Sequence, residues 1–409
     1  MAEVMPDSGG ARRPGERTAT LAVAIGALAS ILRIAALASV LTVAALASVL
    51  TLAASPGTAL ASGGGSSGGA GLAGSAHRHH RRPAHDRTRD PLAGRAMWIW
   101  ELPSVAHGDV SQIIATAHAY GVRTLLVKSS DGTSFWSSQF DPQLVSALHA
   151  GGLRVCAWQY VYGRHPITEA YMGAAAVRDG ADCLVIDAES EYEGRYVAAQ
   201  AYIQRLRRLI GQRFPVALAG FPFVDLHPAF PYSVFLGPGG AQLDVPQMYW
   251  RAIGVSPDNV FAHTYADNLV YRRPILPLGQ VYGDPPARQI VRFRELSDAY
   301  GAPGVSWWDW QEARRGAWVA LSRPVGALRG YMPDKVMATL VQGAKGDMVV
   351  WAQEHLVAAG DPVVINGVFD PQTLLAVQAF QAAHGLGVDG EIGEQTWMAL
   401  LRYRPPAVH

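Results

Sequence analysis

Asp187 and Glu189 are two carboxylic acids one residue apart, at the end of the apolar run Cys183-Leu184-Val185-Ile186. On an extended strand residues i and i+2 share a face, so both carboxyls point the same way with backbones about 7 Å apart. Two acids held so close raise the pKa of one, and such an acid can protonate a glycosidic oxygen. A plainer alternative has Asp187 capping the following helix and Glu189 solvated, with Glu191 and Glu193 just beyond. Other apolar runs end in comparable chemistry. Trp100 and Glu101 close one, Lys128 and Asp131 a second, Trp158 and Gln159 a third. Gln247, Tyr249 and Trp250 follow, then Gln280 and Tyr282, then Trp308, Asp309 and Trp310. Rings stack on the apolar faces of sugars, while carboxylates and amides bind hydroxyls, so one rim bearing all three suits a carbohydrate. Glu189, Asp187, Glu101 and Asp309 are the catalytic candidates. Trp100, Trp158, Gln159, Gln247, Tyr249, Trp250, Gln280 and Trp308 are the candidate substrate contacts.

To share a rim, these residues need parallel strands. Eight short apolar runs alternate with helical patterns between Ala96 and about Leu321: 97–102, 123–129, 154–160, 183–189, 215–220, 244–250, 275–281 and 304–310. Several are continuously apolar, as strands covered on both faces must be. Val110, Ile113, Ile114 and Ala117 form one helical stripe that Gly121 ends; Ile203, Leu206 and Ile210 form another. The pattern predicts an α/β protein, a (β/α)8 TIM-type barrel over residues 96–330, with its chemistry at the C-terminal strand ends. A doubly wound open sheet would need a phosphate-binding glycine loop after a strand, and none stands out.

The chain has 409 residues, enough for more than one domain, and a net charge of +1 that gives no argument for nucleic acid. Its two cysteines, Cys156 and Cys183, form no disulfide framework; each lies in an apolar run, and buried free thiols are expected rather than a bridge between neighbouring strands. No metal-ligand spacing or cofactor motif is evident. Arg12, Arg13 and Arg17 precede an apolar stretch from Ala19 to Ala54, and Ala59-Leu60-Ala61 follows as a small-x-small site. Residues 1–61 therefore read as an export signal cleaved after Ala61, or as a retained membrane anchor, since about 20 apolar residues span a bilayer. Residues 62–95 are a linker. Its Gly/Ser part is a flexible tether, and its His/Arg-rich part, His77 to Asp90, is a solvated basic segment rather than a metal site.

Residues 338–402 carry a different pattern. Thr373, Ala376, Val377 and Phe380 repeat at helical spacing, and Asp370-Pro371 opens that helix with an N-cap and a Pro at N1. Two short copies, Asn366 to Thr373 and Asp389 to Thr396, each place a glycine turn before a helix. Gly346-Asp347, Gly367-Val368-Phe369-Asp370, Phe380-Gln381, Val388-Asp389-Gly390, Gly393 and Thr396-Trp397 complete a pattern that resembles a small all-α, three-helix peptidoglycan-binding domain. That resemblance implies peptidoglycan or a related wall glycan as partner and a place outside the cytoplasmic membrane.

The barrel resembles two glycoside hydrolase families. Family 25 lysozymes carry D-x-E at the fourth strand with the Glu as acid. Family 18 chitinase-like proteins also end a fourth-strand motif in D-x-E, with a Met-x-Tyr-like element on the sixth strand and a Trp on the eighth. Asp187-x-Glu189, Gln247-Met248-Tyr249 and Trp307-Trp308 are similar to those elements. Two departures stand out. Trp98-Ile99-Trp100-Glu101 lies where family 25 enzymes have a strand-one Asp, and Val185 lies where the longer family 18 signature has one. The resemblance implies a wall-acting glycosidase with Glu189 as general acid, Glu101 or Asp309 supplying the second carboxylate; the alternative is a wall-binding protein with a degenerate barrel. Export has a direct check: N-terminal sequencing of the secreted chain should begin near Ser62, whereas an intact Met1 in the membrane fraction would show a retained anchor.

Overall fold

The computed structural model describes residues 91–406. The expected export segment, its Ala59-Leu60-Ala61 site and most of the linker lie outside the described residues. Among the described residues no helix is long and apolar enough to cross a membrane.

Eight parallel strands make the barrel: β1 Gly94–Ile99, β2 Thr124–Asp131, β3 Arg154–Val161, β4 Cys183–Ala188, β5 Val216–Ala219, β6 Leu243–Asp244, β7 Leu278–Gln280 and β8 Gly304–Trp308. They pair in the order β6-β5-β4-β3-β2-β1-β8-β7. Bridges from Asp244 to Ile275 and from Gln247 to Leu278 join the two ends and close the ring. Helices α1 Val110–Ala119, α2 Pro142–Ala150, α3 Pro166–Arg178, α4 Tyr196–Ile210, α5 Tyr232–Phe235, α6 Trp250–Ile253, α7 Pro257–Asn268, α8 Ala287–Ala299 and α9 Arg315–Ser322 surround it. The expected stripes are the buried faces. Ile113 and Ala117 of α1, and Ile203 and Leu206 of α4, are fully buried, and Gly121 takes φ +67° where α1 has ended.

Side chains alternate along each strand between the barrel interior and the helix layer. Trp98, Leu126, Cys156, Trp158, Val185 and Ala217 fill the interior. Their neighbours Ile99, Val127, Val155, Ile186 and Leu218 pack outward against the helices. Parity in this alternation decides which rim residues face the mouth.

The cysteines are not free thiols. Parallel pairing of β3 and β4 sets Cys156 directly opposite Cys183, their Cα atoms are 4.6 Å apart, and they form a disulfide inside the barrel. Strand register brought them together, and register depends on pairing across the whole sheet.

Three helices form the C-terminal module: α10 Asp347–Ala359, α11 Pro371–Ala383 and α12 Glu394–Leu400. Its two short sequence copies are copies in structure as well. Gln353 on α10 donates to Asn366 Oδ1, Val368 O and Thr373 Oγ1, and accepts from Gly367 N. Gln381 on α11 repeats this with Asp389 Oδ1, Glu391 O, Thr396 Oγ1 and Gly390 N. Each glutamine pins the turn that starts the next helix.

The module is also docked on the barrel. Asp347 is fully buried and accepts from Ser233 N and Ser233 Oγ at 2.7 Å and from Tyr271 OH at 2.8 Å. Gly346 beside it has φ +111°, and a Cβ there would stand 2.5 Å from Pro228 Cβ, so only glycine fits. Trp351 Nε1 donates to Val270 O at 2.9 Å. Burial pushes the Asp347 carboxyl up to about 6, and that of nearby Glu354 up to about 8. A carboxyl raised in the fold favours folding most below its unfolded pKa and loses that contribution as pH rises through the folded value. For Asp347 the loss is about 2 kcal/mol between pH 4.5 and 7.5. An Asn can keep the geometry, its amide oxygen accepting from Ser233 N and Tyr271 and its NH₂ donating to Ser233 Oγ. Denaturant unfolding at pH 4.5 and 7.5 should therefore show Asp347→Asn losing about 2 kcal/mol less than the native chain across that interval. Asp347→Ala, which strands those donors, should be less stable than Asn by about 2–4 kcal/mol at either pH.

Candidate active site

Trp98, Trp158 and Trp308 make the floor of the barrel mouth, their ring centroids 5.3–5.6 Å apart and tilted or edge-on to one another. Trp158 Nε1 donates to Ile99 O at 3.0 Å. Among the described residues the Trp98 and Trp100 indole N–H groups have no acceptor. Trp98 and Trp158 are fully buried in this cluster, and Trp308 is the ring that keeps exposure to meet the apolar face of a sugar.

Asp187 and Glu189 stand above this floor and both accept from Gln247 Nε2, each at 3.0 Å. One amide NH₂ thus serves two carboxyl groups. Asp187 is buried, and its carboxyl is raised by desolvation and then by the charge of Glu189 beside it. Desolvation raises Glu189 as well, while its bond from Gln247 pulls the other way. Burial and mutual repulsion therefore shift the pair toward its protonated forms, Asp187 more strongly than Glu189. Tyr249 and Tyr282 face the pair from the β6 and β7 ends, their rings edge-on at 5.4 Å. Asp309 lies beyond Tyr249, buried, with its carboxyl pushed up to about 7.

Trp100, Trp158, Gln247, Tyr249 and Trp308 therefore gather at the mouth around Asp187 and Glu189, with Asp309 on the far side. Four other candidates stand elsewhere, and strand parity or chain path explains each. Glu101 follows the inward-facing Trp100, so it turns out of the barrel, exposed, and accepts from Ser104 Oγ at 3.2 Å. Gln159, next to inward Trp158, is buried in the helix layer, donating to Glu169 O and accepting from Tyr202 OH. Trp250 is the first residue of α6 rather than the end of a strand; its ring packs 4.9 Å from Phe293 and its Nε1 donates to Gln289. Gln280 spends its amide oxygen on Arg251 N and Ala252 N, satisfying the start of α6.

The structure adds residues that were not among the candidates. Tyr160, two places past Trp158 on the same strand face, donates to Glu191 Oε2 at 2.9 Å. Tyr162 donates to Asp131 Oδ1 at 2.9 Å, and Asp131 Oδ2 accepts from Lys128 Nζ at 2.6 Å. Buried Gln139 donates to Trp100 O and Lys128 O, tying the β1 and β2 ends together. Alternation beyond Trp158 pointed to Tyr160; nothing local pointed to Gln139. Away from the mouth, Asp225, His263 and Asp267 place three possible metal-ligand atoms within 4.8 Å of one another. His263 and Asp225 there also form a 2.9 Å ion pair.

Residues 345–400 match the family model whose description is "Putative peptidoglycan binding domain". No curated protein matches the chain. Among solved structures, the spore cortex-lytic enzyme SleL of Bacillus megaterium is 11% identical at a TM-score of 0.44, over 58% of this chain and 75% of that one. A class V chitinase of Pseudomonas fluorescens is 11% identical at a TM-score of 0.42, over 56% and 98%. An endo-β-1,4-mannanase of Thermotoga petrophila is 9% identical at 0.42, over 55% and 69%.

Gln247 is the shared donor, and its loss should show a pH signature. A protonated carboxyl needs no donor, whereas a buried carboxylate left without one costs about 1–3 kcal/mol. Gln247→Leu should therefore destabilise the protein more at pH 8 than at pH 5 when unfolding is followed by tryptophan fluorescence; equal losses at both would contradict the shared-amide arrangement.

Proposed function

We propose that this is an exported protein that binds wall peptidoglycan through its C-terminal module and hydrolyses a glycosidic bond of the wall at the barrel mouth. The observation that carries the reading is the Asp187–Glu189 pair, bridged by Gln247 over an indole floor, in a chain whose residues 345–400 match a peptidoglycan-binding family. Glu189 is the more exposed of the two acids and gives its proton to the leaving glycosidic oxygen. Asp187 lies deeper and supports the developing positive charge on the sugar, directly or by holding the substrate's own N-acetyl group against the reacting carbon. Asp309, across Tyr249, is the remaining acid for activating water. Tyr249 and the tryptophan floor orient the ring.

Purified peptidoglycan and soluble N-acetylglucosamine oligomers are the substrates to test, with fragments read by mass analysis. Glu189→Gln keeps shape and hydrogen bonding but removes the transferable proton. Hydrolysis should fall about 10²–10⁴-fold while sedimentation with peptidoglycan is kept. Unchanged turnover would move the acid role away from Glu189. A native chain that sediments with the wall and cleaves nothing would establish the binding-protein alternative.

A further inference from the structure

Asp225 lies in the short helical turn Val224–Leu226 after β5, and His263 and Asp267 lie one turn apart on α7. Residues i and i+4 share a helix face, so both α7 side chains can meet the same loop. There His263 Nε2 stands 2.9 Å from Asp225 Oδ1 and 3.5 Å from Asp267 Oδ2. Phe223 stacks on the imidazole, ring centroids 3.9 Å apart and planes 14° apart, which fixes the direction of that nitrogen. One nitrogen and two carboxylate oxygens thus converge within 4.8 Å of one another.

The charges at this point do not balance. Two carboxylates share one imidazole, and among the described residues no lysine or arginine pairs with either. Asp267 is buried, and besides the imidazole its Oδ2 has Asp225 N at 3.2 Å. Even a protonated ring leaves one negative charge in excess. The same two acids line a cleft of about 370 Å³, together with Ala338, Thr339 and Lys345 of the chain that enters the C-terminal module. That cleft has room for water beside the carboxylates. Ligands about 2.1 Å from a tetrahedral zinc ion stand about 3.4 Å from one another, and the separations of 2.9 and 3.5 Å bracket that spacing.

We propose that Asp225, His263 and Asp267 form a structural site for a divalent transition-metal ion, zinc being the best suited, that fastens the loop after β5 to α7. Imidazole and carboxylate together select such an ion over calcium or magnesium, which take oxygen ligands. The ion takes His263 Nε2 and one oxygen of each carboxylate, and water from the cleft completes its shell. It binds the neutral ring and both ionised acids, so the ring's extra proton leaves to solvent. What it fastens is the barrel's half of the contact with the module. Ala338 N donates to Ala266 O, next to Asp267, at 3.0 Å, and Asp347 N donates to Pro228 O, just past Asp225, at 2.7 Å. None of the three ligands takes part in the proposed hydrolysis, so the site stands whether or not the barrel is an enzyme.

The test is thermal unfolding of the full chain, stripped with EDTA and dialysed, with and without zinc chloride, alongside calorimetric titration of the same samples. A background carrying His77→Ser, His79→Ser, His80→Ser and His85→Ser removes the other histidine cluster of the sequence, so that zinc bound there belongs to the described residues. In that background one zinc should bind per chain. An ion that binds the folded state alone should raise the unfolding midpoint by about 5 °C at a hundredfold excess over its Kd. Asp225→Ala alters a half-exposed side chain and leaves the buried acid in place; it should abolish most of that rise, and His263→Gln should do the same. Each variant is compared with itself, with and without zinc, so any stability it loses by itself cancels. Calcium chloride at the same concentration should give no rise. Zinc that binds without raising the midpoint, a rise undiminished in both variants, or a rise with calcium and none with zinc overturns the proposal.

Discussion

One amide connects the closure of this barrel to its chemistry. Gln247 lies just past β6, where its backbone bridges to Leu278 and joins the last two neighbours of the ring. Its side chain donates to both Asp187 and Glu189. Were the sheet open at this seam, the amide would have no fixed position and two buried carboxyls would face each other without a donor, an arrangement that costs several kcal/mol. Pro246, beside it, has no N–H for a continuous ladder, so the strand is short and the chain turns at Trp250 into α6. That turn sends Trp250 to the helix layer and leaves Gln247 and Tyr249 at the mouth.

Around that amide the site is built from groups whose ordinary protonation is displaced by burial. Asp187, Glu189 and Asp309 are all raised, and desolvation is the largest cause for each. Such displacement opposes stability at neutral pH, so the surrounding fold must offset it. Tryptophan packing in the floor and the Cys156–Cys183 disulfide below it supply rigidity on the strands that carry the acids.

The C-terminal module uses its motif residues for two purposes. Gln353 and Gln381 satisfy turn backbones within the module, which is a local need of the three-helix fold. Gly346 and Asp347 instead meet Pro228, Ser233 and Tyr271 of the barrel. A buried carboxylate accepting from barrel donors, with Trp351 beside it, makes the contact a specific one rather than a tether.

Local pattern was enough for much of this. Runs of Val, Leu and Ile separated by capped helices specify a parallel barrel, because strands covered on both faces have few other arrangements. Period-two alternation placed Asp187 and Glu189 on one face, and the Asp370-Pro371 and glycine-turn copies marked the module's helices. Tertiary structure decided what depends on parity, register and distant partners. Glu101 and Gln159 fall on the outward face because their neighbours Trp100 and Trp158 take the inward one. Cys156 meets Cys183 through the register of β3 and β4. Lys128 gains the Trp100 and Trp158 rings beside its ammonium, and Gln280 its α6 partners, only when segments far apart in sequence close into a ring. A sequence records which side of its own strand a residue occupies relative to its neighbours; which side becomes the interior, and what stands across it, is settled when the sheet closes.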